Sequence, residues 1–284
     1  MSKLLPDRYA GRDFFLADIA GVSIKDDIHS MEHPFFSLSK NPDTEVRRYE
    51  HNGNTLEIKP GSDGMPTIWD KDILIFIISQ IMEAQNRGRS DAKERIVRFR
   101  AYDYFAATNR EPSGASYDRL QQGLDRLAGT RIKTNIKAGK ETIKENFGIL
   151  DRWKIVEKSQ DDSRMVAVEV QLSTWLYKAV QAKEVLTIHR DYFRLKGSME
   201  RRLYEICRKH CGAQPSWKIG VELLYKKTGS TGNIRDFRRM LRGIVASNVL
   251  PEYLVALDEE SQIVTFTNRR RAGESIAGAL KVIG

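Results

Sequence analysis

The strongest hydrophobic pattern in the chain has the spacing of a buried helix. Apolar side chains from Trp69 to Met82 occupy one face of a helix and spread onto its flanks, and Asp70 is placed to be the N-cap. The preceding residues, 33–59, have the alternation and β-rich composition of short strands, with a hairpin turn signal at Asn52-Gly53. We therefore expect short strands followed by the central helix of a domain.

A helix, a turn, a second helix and a basic hairpin are predicted next. Residues 102–107 and 116–129 form the two helices, and Gly129 ends the second one. In the strand that follows, polar and apolar side chains alternate, which places on one face Arg131, Lys133, Asn135 and Lys137. A turn ending at Lys140 leads into a second strand. This order of elements is typical of a winged helix.

The hydrophobic phase of residues 116–128 recurs in residues 233–248. Alignment of the two segments pairs Tyr117 with Ile234, Leu120 with Phe237, Leu124 with Leu241, Leu127 with Ile244 and Ala128 with Val245. The second copy is also preceded by a core helix and a short helix, and a hairpin with its turn at residues 258–261 follows it. Two copies at long spacing predict two tandem winged-helix domains with short β-hairpin wings in an α+β chain, rather than a solenoid.

These elements predict four segments along the chain. They are an N-terminal arm (1–29), a first winged helix (30–160), a second winged helix (161–268) and a loose C-terminal tail (269–284). We expect the second winged helix to be the main DNA-binding domain, and the first to add accessory DNA contacts and protein contacts.

Composition and charge restrict the partner and the compartment. The 284 residues include 47 Lys and Arg against 38 Asp and Glu, with a formal net charge of +9 and a pI of about 9.4. This balance favours a polyanionic partner and, with two winged helices, double-stranded DNA. No apolar run has membrane-spanning length, and the N-terminus lacks the apolar core of a signal peptide. With only two cysteines, Cys207 and Cys211, we expect a cytoplasmic protein without a disulfide framework.

Charge distinguishes the two copies of the repeated helix. The outer face of the second copy carries Arg235, Arg238, Arg239 and Arg242, which align with Asp118, Gln121, Gln122 and Asp125 in the first. Such a run is as typical of a solvated surface as of a DNA-reading helix. Because this helix has the place of the recognition helix in the second winged helix, we favour a DNA-reading helix. The predicted DNA-binding residues are Arg235, Arg238, Arg239, Arg242, Lys226 and Lys227 in the second copy, and Gln121, Gln122, Arg131, Lys133, Lys137 and Lys140 in the first.

Other chemistries find less support. Cys207, His210 and Cys211 share one edge of a predicted helix, but a structural zinc site needs four ligands and no second cysteine pair exists, so we expect core residues and no metal. The sequence has no His-x-His for a nicking enzyme, no complete phosphate-binding loop and no carboxylate pair suited to acid–base catalysis. We therefore expect a protein that is not an enzyme and uses no cofactor.

Several long motifs resemble plasmid replication initiators, most closely the replication initiator protein A family. They are MEHPFFSLSK (31–40), RRYEHNG (47–53), WDKDILIFIISQI (69–81), ATNR (107–110), SYDRL and LDRLAGTRIKTNI within 116–136, KEVLTIHRDYFRL (183–195), ERRLYEICRKHCG (200–212) and LLYKKTGS (223–230). The resemblance extends over nearly the whole chain from about residue 14 to residue 251 and is weaker in the C-terminal segment.

The resemblance implies an initiator that binds repeated sequences at a plasmid origin, opens adjacent AT-rich DNA with host initiator proteins and recruits the replicative helicase. In the wider group, monomers bind the origin repeats while dimers repress the initiator's own gene, and the N-terminal winged helix provides the dimer surface. The resemblance therefore implies a homodimer in equilibrium with a monomer. A transcriptional repressor with the same architecture and no role in origin opening is the alternative, because both would present the same DNA-binding surface.

Overall fold

The chain forms two compact units. The computed structural model describes residues 3–9, 23–51, 53–89, 94–135, 145–159 and 162–271. The N-terminal unit contains Asp7–Asp27 and Phe35–Thr187. The C-terminal unit contains Met1–Pro6, Ile28–Pro34 and Ile188–Gly284.

Helices and short antiparallel strands alternate along the described residues. The helices are α1 (Ile28–Glu32), α2 (Lys71–Asn86), α3 (Ala101–Ala107), α4 (Gly114–Gly129), α5 (Thr174–Gln181), α6 (Ser198–His210), α7 (Val221–Thr228) and α8 (Ile234–Ser247). The strands are β1 (Lys25–Asp27), β2 (Arg47–His51), β3 (Asn54–Lys59), β4 (Ile96–Phe99), β5 (Arg131–Thr134), β6 (Glu145–Gly148), β7 (Leu150–Ser159), β8 (Asp162–Leu172), β9 (Val185–Thr187), β10 (Ser216–Gly220), β11 (Tyr253–Asp258) and β12 (Ile263–Asn268). Two 3-10 turns follow β9 and β12, at Arg190–Arg194 and Arg269–Arg271.

Helix α2 forms the centre of the N-terminal unit, as its apolar sequence predicts. Most of its side chains are buried, including the run from Ile73 to Ile78. Phe76 contacts Phe99 of β4 and Tyr104 of α3 edge to face, with ring centroids 5.1 and 5.7 Å apart. These contacts join α2 to both elements of the winged helix that follow it.

The C-terminal unit is built from α6, α7, α8 and the three-stranded sheet β10-β12-β11. Helix α1 belongs to this unit and is held on α6 by Arg202, whose guanidinium donates to the carbonyl oxygens of Ser30 (2.8 Å) and Met31 (3.0 Å). The guanidinium also binds Glu205 at 3.1 Å, and only 3% of the Arg202 side chain is exposed. A buried charge that is paired with a carboxylate and donates to two carbonyls of α1 fixes the position of α1 on α6.

The predicted tandem winged-helix fold is confirmed. In each unit a long helix, a strand, a short helix and a second long helix precede a β-hairpin. The aligned positions Leu120, Leu124 and Leu127 are buried in α4, as are Phe237, Leu241 and Ile244 in α8. The apolar positions that the sequence alignment pairs are therefore the positions through which both helices pack on their cores.

The wing of the N-terminal unit is not the hairpin that the sequence predicts. In the C-terminal unit the strand before α7 pairs with the second strand of the wing, which gives the order β10-β12-β11. The matching order in the N-terminal unit is β4-β8-β7, so β7 and β8 form its wing. The predicted basic hairpin does form, from β5 and β6, but it joins a separate sheet of order β2-β3-β5-β6. The reason is that β5 pairs with β3, a partner that its local pattern does not reveal.

The units also divide at a different place from the predicted domain boundary. Residues 160 and 161, where the prediction divides the domains, lie outside the described residues, in the connection between β7 and β8. The chain passes to the C-terminal unit after Thr187.

Within the predicted N-terminal arm, β1 pairs with β9 in an antiparallel ladder. In the predicted tail, Arg269–Arg271 is a 3-10 turn and residues 272–284 lie outside the described residues.

Candidate nucleic-acid interface

Helix α8 is capped at both ends, which fixes the direction of its outer face. The side chain of Asn233 accepts a hydrogen bond from the Asp236 backbone N–H at 2.9 Å. At the other end Asn248 adopts the left-handed conformation, with φ 49°, and its N–H donates to the Ile244 carbonyl. Because the opposite face is buried, the four predicted arginines project from the half-buried and exposed sides of the helix.

Two of these arginines are exposed and are either unpaired with described residues or held only by an exposed ion pair. Arg235 is exposed and makes no side-chain hydrogen bond or ion pair with any described residue. Arg239 is 79% exposed, and its guanidinium lies 3.0 Å from the carboxylate of Asp236 one turn earlier. An ion pair this exposed contributes little to stability, so a phosphate or a base edge can displace the carboxylate.

The third arginine is paired with the wing. Arg242 donates from Nε and Nη2 to the two carboxylate oxygens of Glu259, at 2.6 and 3.0 Å. Glu259 lies in the turn between β11 and β12, where the Asp258 carboxylate accepts from the backbone N–H groups of Glu260 (3.0 Å) and Ser261 (3.2 Å). The Arg242 guanidinium lowers the pKa of Glu259 below its ordinary value, so the pair is charged on both sides at neutral pH.

The fourth arginine, Arg238, is half-buried. Its Nε is buried without a hydrogen-bond partner. The charge of Arg238 adds to that of Arg242 in lowering the pKa of Glu259. One carboxylate of the wing therefore interacts with two of the four arginines, and the local pattern of α8 does not reveal it.

The two predicted lysines of α7 have different surroundings. Lys226 is exposed, whereas the Lys227 side chain is only 13% exposed and its ammonium lies 3.6 Å from the Glu32 carboxylate of α1. Burial lowers the pKa of Lys227, and Glu32 opposes that shift. Lys209 of α6 also lies 3.6 Å from Glu32. Lys227 thus takes part in the packing of α1 against α6 and α7, and Lys226 is the one of the two that faces solvent.

In the N-terminal unit, the predicted polar residues of α4 lie on its surface. Gln121 and Gln122 are both exposed. The predicted basic face of β5 is also exposed: the Lys133 side chain makes no hydrogen bond or ion pair with a described residue, and the Arg131 guanidinium donates to the Asn146 carbonyl of β6 at 2.8 Å. Lys137 and Lys140 lie outside the described residues. The structure therefore places these predicted residues on two elements, α4 and the β5–β6 hairpin.

The wing of the N-terminal unit adds two cations that the sequence prediction omits. Arg152 and Lys154 project from β7 and are 60% and 58% exposed. Both lie near Glu169 of β8, at 3.4 and 3.8 Å. The alternation of charged and apolar residues from Arg152 to Ile155 carries the signal of a half-exposed strand. What the sequence does not show is that this strand, rather than β5, belongs to the wing.

Two properties of the described residues bear on other functions. Cys207 and Cys211 are buried in and beside α6, and the described part of the chain contains no group of three or more His, Cys, Asp or Glu side chains placed to hold a metal ion. Among the described helices, none has both the length and the apolarity needed to cross a membrane.

Comparison with known proteins identifies relatives over most of the chain. Residues 25–255 match the family model of replication initiator protein A. A curated protein of Wigglesworthia glossinidia brevipalpis, with the description "Putative replication protein", is 42% identical over 260 residues, which cover 91% of this chain and 94% of that protein.

Solved structures with the same fold share little sequence. Domains 2 and 3 of RctB superpose with a TM-score of 0.56 at 12% identity, covering 82% of this chain and 94% of that chain. A second structure of these domains gives a TM-score of 0.54 at 12% identity, covering 81% and 92%. At this identity the similarity shows the shared fold alone.

Proposed function

Because this chain belongs to the replication initiator protein A family, we propose that it initiates plasmid replication by binding repeated double-stranded DNA sites at its origin. The observation that carries the proposal is the outer face of α8. It presents exposed arginines on the second long helix of a winged helix, the element that enters the major groove in proteins of this architecture.

The arginines suit the two tasks of a DNA-binding helix. A guanidinium has donors in a planar fork that matches a guanine edge and also matches a phosphate. Arg235 and Arg239 are the freest to make such contacts, and Arg242 becomes available when DNA replaces Glu259 as its partner. We assign the principal reading role to this helix because the equivalent face of α4 carries Gln121 and Gln122 in place of arginines.

The N-terminal unit supplies accessory contacts in this proposal. The exposed cations Arg131 and Lys133 of β5, and Arg152 and Lys154 of the wing, are suited to phosphate oxygens, while Gln121 and Gln122 are suited to base edges. In the wider group of initiators the N-terminal winged helix provides the dimer surface, so we place a dimer surface of this chain in the N-terminal unit, and the balance of monomer and dimer would then select between origin binding and repression. None of these roles requires a catalytic step or a cofactor.

Binding of duplex DNA is tested by replacing the α8 arginines one at a time. We expect Arg235→Ala, Arg239→Ala and Arg242→Ala to weaken binding to origin repeats in a gel-shift titration over a range of salt. An arginine that contacts only phosphate weakens binding to all sequences and reduces the salt slope by about one unit. Replacement of an arginine that reads a guanine costs about 1–3 kcal/mol of the binding free energy that distinguishes that base pair from others.

The matched control is Arg87→Ala, which removes an exposed arginine that is paired with Glu83 at the end of α2 and lies outside the interface. This variant should bind as the parent does. If all three α8 variants also bind as the parent does, α8 is not the reading helix and the proposal is wrong.

Initiation is tested separately from binding. A plasmid that carries only the repeats and the adjacent AT-rich DNA should be maintained when this protein is supplied in trans. Loss of the plasmid together with intact binding to the repeats would instead identify a repressor. Capture of the host initiator protein and helicase by the purified protein, in the presence of origin DNA, tests the proposed host partners.

A further inference from the structure

The N-terminal unit contains a cleft that shares only Gln122 with the residues proposed above for duplex binding. It has a volume of about 580 Å³ and lies where α4 passes the beginning of α2. Its lining residues are Lys40, Pro42, Thr67, Trp69, Asp70, Arg110, Arg119, Gln122 and Arg126. This volume is within the range of pockets that hold small ligands. We call it the Trp69 cleft.

The floor of the cleft is held rigidly. Arg126 donates from Nε and Nη2 to the two carboxylate oxygens of Asp70, both at 2.8 Å. The Thr67 N–H and hydroxyl also donate to Asp70, at 2.7 and 2.9 Å. Gly123 allows α4 to pass close to this carboxylate, because a Cβ there would lie 2.9 Å from Asp70 Oδ1. On the other side, Arg110 donates to the Trp69 carbonyl and to Asp72, both at 2.8 Å.

These bonds neutralise the carboxylates of the floor and leave positive charge at the rim. The Arg119 side chain is exposed and makes no hydrogen bond or ion pair with any described residue. The Lys40 ammonium lies 5.4 Å from the ring centroid of Trp69 and has no carboxylate partner among the described residues. The amide of Gln122 likewise has no described partner. The cleft therefore combines a half-exposed indole, two available cations and an amide.

We propose that the Trp69 cleft binds a nucleotide unit. The base would stack on the indole of Trp69, where it displaces Lys40, and the phosphate would bind Arg119 and Lys40. The Gln122 amide, with one acceptor and two donors, would face the edge of the base. A flat aromatic ring joined to an anion matches this set of groups, because stacking on an aromatic side chain accepts any base and the cations hold the phosphate.

The nucleotide unit has two possible sources, a free nucleotide and an unpaired stretch of DNA. They share the chemistry that the cleft recognises and differ in the polymer on either side of the phosphate. The inference does not rest on duplex binding by α8, because its residues all lie in the N-terminal unit.

The test is a titration of the full chain, followed by tryptophan fluorescence, with ATP in one arm and a short oligothymidylate in the other. We expect saturable quenching in at least one arm, and Trp69→Phe should remove most of the response. Arg119→Ala, at an exposed position, should weaken binding at least about tenfold, the effect of a lost charge-assisted hydrogen bond. The control Arg87→Ala should bind as the parent does.

Binding in the ATP arm alone identifies a free nucleotide as the ligand, and binding in the oligothymidylate arm alone identifies unpaired DNA. The proposal is overturned if neither ligand binds, or if binding is unchanged in both Trp69→Phe and Arg119→Ala. It is also overturned if inorganic phosphate competes as strongly as the nucleotide, because the base then adds nothing. Arg239→Ala should retain this binding while losing affinity for duplex repeats, so failure of one proposal is distinguishable from failure of the other.

Discussion

The carboxylate of Glu259 in the wing binds the guanidinium of Arg242 on the adjacent reading helix through two hydrogen bonds, 2.6 and 3.0 Å long. This pair places a negative charge on the face that we propose to contact DNA. A phosphate or a guanine that binds Arg242 must first replace Glu259, so the ion pair opposes DNA binding by this arginine. The free energy needed to break the pair is small, because both partners are about half exposed and solvent screens their charges.

We predict that Glu259→Gln strengthens DNA binding by roughly two- to fivefold at low salt, because it removes a repulsive charge and frees Arg242. The gain should shrink as salt is added. Gel-shift titration at several salt concentrations measures both effects, and Glu260→Gln, a change at the next position of the same turn, serves as the control. Weaker binding by Glu259→Gln would mean that the carboxylate positions Arg242 for DNA rather than competing for it.

The two hairpins of the N-terminal unit are predicted to contribute unequally. Paired substitution of Arg152 and Lys154 by alanine should lower DNA affinity for all sequences and reduce the salt slope by about two units, because the wing is the hairpin that flanks the duplex in this architecture. The matched pair is Arg131→Ala with Lys133→Ala on β5, which should have the smaller effect. The opposite ranking would show that β5 and β6 act as the DNA-contacting hairpin despite their place in another sheet.

Two histidines of the C-terminal unit are predicted to make its stability fall as the pH is lowered. Burial, together with the nearby charge of Lys227, lowers the pKa of His33 and of His210 to about 4, although Glu32 opposes the shift. Both groups are therefore neutral in the folded and the unfolded chain above pH ~6.5, the ordinary histidine pKa. Between that pH and about 4 the unfolded chain binds protons that the folded chain does not, so stability is lost as pH falls.

This loss can be measured by urea denaturation at a series of pH values. His210→Gln and His33→Gln should each flatten the dependence between pH ~6.5 and 4, because glutamine does not titrate. His189→Gln, a change of a half-buried histidine at the start of the 3-10 turn after β9, is the control. An unchanged slope in both variants would mean that other groups cause the acid sensitivity.

Arg202 is predicted to be the most sensitive position for the attachment of α1. Arg202→Met keeps much of the volume but removes the guanidinium that donates to the carbonyls of Ser30 and Met31 and pairs with the buried carboxylate of Glu205. We expect a destabilisation of about 3–5 kcal/mol, the cost of breaking a buried ion pair on one side. Thermal and urea unfolding measure it. Arg202→Lys should recover only part of the lost stability, since an ammonium cannot reproduce the planar fork of donors of a guanidinium.

The helices and their repeat were predictable because their signal is local. Leu120, Leu124 and Leu127 follow the 3.6-residue period, as do their counterparts in α8, and a helix satisfies its own backbone hydrogen bonds. The N-caps Ser173 and Asn233 likewise act within three residues. The exposed face of α8 followed from the same period, since burial of one face leaves the arginines on the other.

The hairpins were less predictable because strand pairing is not local. The alternation of β5 correctly indicates a strand with Ile132 inside and Lys133 outside. It does not indicate that this strand pairs with β3, or that β8 is the partner of β4. The assignment of the wing, and with it the place of the domain boundary, depends on those pairings.

The sequence by itself determined the family, the α+β class, the tandem repeat of winged helices and the positive charge of the second reading helix. Periodicity and composition carry this information, because each is a property of neighbouring residues. Only the tertiary structure decided which cations are available. It pairs Arg242 with Glu259, buries Lys227 beside Glu32, and leaves Arg119 free above the floor that Arg126 and Asp70 complete. Ion pairs and strand ladders join residues that are far apart in the chain, and their partners are chosen by distance in the folded molecule.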